Sequence, residues 1–94
     1  MSEHLRRVNM MVSGIVQGVF YRASTLEKAQ SLSIKGWVCN LPDGGVEIEA
    51  EGTQEALEQL AEWCREGPPS ADVKTVDIRW KDYRGDFDTF KITR

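Results

Sequence analysis

Between Leu5 and Ser13, the apolar residues Val8, Met10 and Val12 share one parity while Arg7, Asn9 and Met11 share the other. That alternation predicts a strand with one buried face. It breaks at Gly14-Ile15-Val16-Gln17-Gly18-Val19, where two glycines four apart permit backbone angles that other residues resist, so a loop is expected. From Tyr21 to Ser33 the chain is rich in helix formers, holds neither Gly nor Pro, and spaces Ala23, Leu26 and Ala29 by three. This predicts a helix of about three turns with those residues on its inner stripe.

The short apolar stretch from Ile34 to Leu41 predicts a second strand, ended by the turn Pro42-Asp43-Gly44-Gly45. After the turn, Val46, Ile48 and Ala50 alternate with Glu47, Glu49 and Glu51. The pattern predicts a third strand, paired with the second as a hairpin, whose glutamates lie on a solvated face. Thr53 is placed to cap a helix over residues 54–66, with Glu55 in its first turn and Leu57, Leu60, Ala61 and Cys64 on one stripe. Gly67-Pro68-Pro69-Ser70 stops it. Val76, Ile78 and Trp80 mark a fourth strand, and Asp88, Phe90 and Ile92 a short terminal one after the turn Tyr83-Arg84-Gly85-Asp86. The order is the split βαβ pattern of an α+β ferredoxin-like sandwich: βαββαβ with an additional short C-terminal strand, two helices on one face of a mainly antiparallel sheet. Residues 1–94 are expected to form a single domain, since no repeat, linker or low-complexity stretch divides them.

Composition narrows the function classes. A chain of 94 residues, 40% hydrophobic and 29% charged, has the balance of a soluble globular domain. No apolar run approaches the ~18 residues that span a bilayer. The start Met1-Ser2-Glu3-His4-Leu5-Arg6-Arg7 is not followed by a signal-peptide core. A cytoplasmic location with no membrane partner is therefore expected. Cys39 and Cys64 are too few for a disulfide framework and lack the spacing of a zinc knuckle, so buried, reduced thiols are expected. The single His4, near the terminus, offers no Cys–His or Ser–His–Asp set, and no clustered ligands suggest a metal. The net charge of −3 argues against nucleic acid as a partner, and a small charged domain favours a monomer. The charge is uneven, however: residues 1–42 carry five bases against two acids, and none of the acids lies between His4 and Glu27.

That acid-free segment holds the best candidate site. A glycine-containing turn opening a helix presents main-chain N–H groups on a positive dipole end, and Arg22 stands where the helix begins. Spacing alone leaves two readings, an anion cradle or a plain strand-to-helix turn with a solvated arginine. Asn40, at the end of the second strand, is likewise either a turn asparagine or an amide able to donate to and accept from one water.

The run Gly14-Ile15-Val16-Gln17-Gly18-Val19-Phe20-Tyr21-Arg22 resembles the first signature of the acylphosphatase family. Gly36-Trp37-Val38-Cys39-Asn40, followed by Gly44, Val46 and Gly52, resembles the second. The resemblance covers essentially the whole chain and implies the ferredoxin-like sandwich. It also implies cofactor-free and metal-free hydrolysis of small acylphosphates to a carboxylate and inorganic phosphate. Carried over by position, Arg22 binds phosphate together with the main chain of Ile15, Val16, Gln17, Gly18, Val19, Phe20 and Tyr21, and Asn40 orients the attacking water. Two positions depart from the family's habit: Ile15 stands where an arginine is frequent, and Cys39 where a basic or long polar residue is usual. Both reduce the positive field near the site. The alternative from another class is a non-catalytic anion-binding module on the same sandwich. A domain like the one that opens larger carbamoyl-transfer maturation proteins is the less expected third, given the start at Met1 and the terminal strand.

Overall fold

The structure is a computed structural model that describes residues 4–93. Met1, Ser2, Glu3 and Arg94, which include the ends of the expected domain and the lead-in read above, lie outside the described residues. In order, the elements are β1 (Leu5–Ile15), α1 (Tyr21–Ser31), β2 (Lys35–Asn40), β3 (Val46–Thr53), α2 (Gln54–Glu66), β4 (Asp72–Asp82) and β5 (Phe90–Ile92). The strands form one sheet in the order β4-β1-β3-β2-β5. β1 is antiparallel to both β3 and β4, β2 is antiparallel to β3, and the short β5 lies parallel to β2, with Phe90 opposite Gly36 and Ile92 opposite Val38. This is the α+β ferredoxin-like arrangement that the alternation predicted.

The core lies between the sheet and the helices. Val8, Met10 and Val12 of β1 and Val46, Ile48 and Ala50 of β3 are buried there with Leu57, Leu60 and Cys64 of α2. Thr53 caps α2 as expected, its hydroxyl accepting from the Ala56 N–H at 3.1 Å. Two expectations are corrected. In α1 the buried residues are Tyr21, Thr25 and Ala29, spaced by four, whereas Ala23 is exposed. The helix takes this angle because Tyr21 plunges into the core at its first residue and donates from its hydroxyl to the Cys64 carbonyl oxygen at 2.7 Å.

The glutamates of β3 do not form a wet face. β3 is the central strand, and Glu49 and Glu51 are buried under Arg7, Asn9, Lys81 and the segment after β4. Arg7 bonds Glu49 at 2.6 Å, Glu51 at 3.3 Å and Asp86 at 2.8 Å, with the Phe87 ring against its guanidinium. Main-chain N–H groups of Arg84, Gly85 and Asp86 donate to Glu51. Burial alone would raise the Glu49 carboxyl; hydrogen bonds from Arg7, Asn9 and Lys81 outweigh it and hold the group below its ordinary value.

Candidate active site

At the end of β1 the pairing with β4 shifts register between Ser13 and Gly14. Gly14 has a φ of 124°, and a side chain there would collide with the Asp72 carbonyl oxygen, so the bend into the following loop needs glycine. Ile15 remains in the sheet opposite Asp72 and opens the expected cradle. Beyond it, Gly18 at φ 72° and Phe20 at φ 64° both adopt left-handed backbone, and such a turn points successive N–H groups into one concavity. Among the described residues, the turn and loop hydrogen bonds take no main-chain donor from Gln17, Gly18, Val19 or Phe20. α1 opens with no side-chain cap and no acid in its first turn. Its dipole end is therefore left positive toward that concavity.

The loop is fastened at three points. Val16 is buried in the core, and Tyr21 is clamped to the last turn of α2 by its hydroxyl. Between them, the Gln17 side-chain amide donates to the carbonyl oxygens of Leu41 at 2.8 Å and Gly45 at 2.7 Å. This Gln17 bridge joins the helix-opening loop to the turn that follows Asn40. A cavity of about 290 Å³ lies against Val16, Gly18, Phe20, Tyr21, Arg22, Ala23 and Ile92.

Asn40 is the last residue of β2 and is half-buried. Its Oδ1 is fully buried, and no group among the described residues donates to it. It lines a second concavity of about 350 Å³ with Trp37, Cys39, Leu41, Pro42, Glu47 and Thr93. Arg22 lines the first concavity and Asn40 the second; Ile92, the last residue of β5, borders the first, and Thr93, next in the chain, borders the second. The Thr93 N–H donates to the Val38 carbonyl oxygen at 2.9 Å, holding the residue after β5 to β2. The sequence offered Gln17 only as part of the loop, and its side-chain bridge carried no local signal. Ile92 and Thr93 read only as a terminal strand.

The sequence model of the acylphosphatase family matches residues 8–92. An acylphosphatase of Methylococcus capsulatus is 49% identical over 90 residues, which cover 96% of this chain and 98% of that protein. The chain belongs to the acylphosphatase family. Among solved structures, an acylphosphatase from Coxiella burnetii superposes with a TM-score of 0.89 at 39% identity, covering 96% of this chain and 94% of that one. The acylphosphatase from Bacillus subtilis gives 0.91 at 32% identity, covering 96% and 99%.

As an acylphosphatase-family enzyme the chain keeps both signature stretches at the two concavities. Its thiols differ in setting. Cys64 is buried, and burial pushes its thiol up to about 12, so it stays protonated and inert; the buried Tyr21 hydroxyl is raised for the same reason. Cys39 is half-buried beside Asn40, which corrects the expectation that both thiols lie in the core. Among the described residues, no group of three or more His, Cys, Asp or Glu is arranged to hold a metal ion, and no helix is long and apolar enough to cross a membrane.

Proposed function

We propose that the chain hydrolyses small acylphosphates by direct attack of one water on phosphorus. Arg22 and the main-chain N–H groups of residues 15–21 hold the phosphoryl oxygens, and Asn40 orients the water. The bond from water oxygen to phosphorus forms as the bond from phosphorus to the acyl oxygen breaks, and the electron pair leaves with the carboxylate. The water proton passes to an oxygen of the substrate's own phosphoryl group. A carboxylate is a good leaving group, so positioning and neutralising charge suffice without a protein base. The observation that carries the reading is the uncapped, acid-free start of α1 beside Arg22, opened by left-handed backbone at Gly18 and Phe20 and tied by Gln17 to the turn after Asn40. Residues 1–94 act as one monomeric domain in this reading, without cofactor or nucleic acid.

The test is hydrolysis of acetyl phosphate by the purified protein in EDTA, with inorganic phosphate as competitor and Arg22→Ala alongside. Turnover should persist in EDTA and be inhibited by phosphate. Arg22→Ala should fall by about 10²-fold or more, the loss expected for a donor to transition-state charge. Near-native phosphate affinity in Arg22→Ala would remove that residue from the site.

A further inference from the structure

The cavity beside Arg22 has a second wall that phosphate does not need. Among the described residues lining it, Arg22 alone is charged, and Phe20 and Ile92 face it from α1's approach and from β5. Phe20 is 78% exposed and Ile92 41% exposed, and neither belongs to the buried core. Phe20 also sits at φ 64°, where glycine is the unstrained choice. Neither the core nor the backbone therefore requires a phenyl ring at that position. The cavity, at about 290 Å³, leaves room beyond a phosphate group.

We infer that Phe20 and Ile92 form an acyl-chain subsite that selects acylphosphates with apolar, flat or branched acyl groups over those whose acyl group carries a second charge. The inference rests on the anion site proposed above and assigns the other end of the same substrate. An apolar acyl group held by its phosphate at Arg22 covers the exposed ring and the Ile92 side chain, removing apolar surface from water. A carboxylate in the same place loses hydration and meets no donor from either side chain. The cavity thus matches a molecule that is anionic at one end and apolar at the other.

The experiment compares kcat/KM for benzoyl phosphate, acetyl phosphate and succinyl phosphate in wild type, Phe20→Ser, Ile92→Ser and Ile92→Lys, with phosphate inhibition measured in each. Wild type should prefer benzoyl over acetyl and acetyl over succinyl phosphate. Each serine variant should lower the benzoyl-to-acetyl ratio by about tenfold, the discrimination typical of a lost apolar pocket contact. Ile92→Lys should raise the succinyl-to-acetyl ratio. Ratios taken within one preparation cancel any loss of folded protein. Ratios that stay flat in both serine variants while phosphate still inhibits would overturn the subsite and leave the anion site standing. Absence of turnover on all three substrates by folded wild type would take down both.

Discussion

A buried amide oxygen without a donor costs about 1–3 kcal/mol, so Asn40 is a residue whose side chain weakens the fold unless it does something else. Removing it separates the two. Asn40→Ala should lower kcat steeply while the inhibition constant of inorganic phosphate changes less than about twofold, because its interaction is with the water and not the anion. Urea unfolding should show no loss of stability beyond what the small change in packing entails. A parallel loss of phosphate affinity would reassign Asn40 to the anion. Ile15 gives the complementary test on field strength. It is 61% exposed at the end of β1, where an added guanidinium would stand beside the anion loop without disturbing the core. Ile15→Arg should tighten phosphate inhibition at low ionic strength, and the gain should fade as salt shortens the Debye length from about 10 Å toward 3 Å. Of these residues the sequence showed type and spacing, but not conformation. The left-handed backbone at Phe20 had no glycine to announce it, and the orphaned oxygen of Asn40 depends on what fails to approach it in space.

Between elements, Gln17 ties the loop before α1 to the turn after β2 by two side-chain to main-chain bonds. Gln17→Ala leaves the Leu41 and Gly45 carbonyls without that donor. It should cost about 1–3 kcal/mol in urea unfolding, given ~0.5–1.5 kcal/mol for each bond. If the bridge also sets the separation of Arg22 and Asn40, kcat/KM should fall further than phosphate affinity does. Equal falls would make Gln17 a fastener of the anion loop alone. Every strand and α2 were legible from alternation, caps and turn residues, because those signals are local and the core obeys them. The inner stripe of α1 was not, since a buried tyrosine and a buried threonine set its angle where the apolar spacing suggested Ala23. The solvated face expected for β3 failed for a long-range reason. Alternating Glu and Val cannot reveal that Arg7 and the chain after β4 cover the glutamates.

Across the whole molecule the sheet divides labour between its faces. One packs on the helices, and the other buries Glu49 and Glu51 against Arg7, whose side chain is only 12% exposed. Breaking a buried ion pair by removing one partner typically costs about 3–5 kcal/mol, so Arg7→Leu should lose that order of stability at neutral pH. The sign of its pH dependence follows from the carboxylates. In wild type the folded Glu49 titrates below its ordinary value of 4.5. The unfolded chain therefore binds more protons as acid is added, and the stability Glu49 contributes is complete above that value and lost as pH falls through the depressed one. In Arg7→Leu the same carboxylate loses its strongest hydrogen-bond donor and keeps Lys81 and Asn9, so its depression shrinks and less stability is lost on acidification. Urea midpoints measured from pH 7 to pH 3 should thus converge, wild type descending below about pH 4.5 more steeply than the variant. Parallel curves over that window would mean that Arg7 stabilises the sheet through packing against Phe87 and not through the carboxylates beneath it.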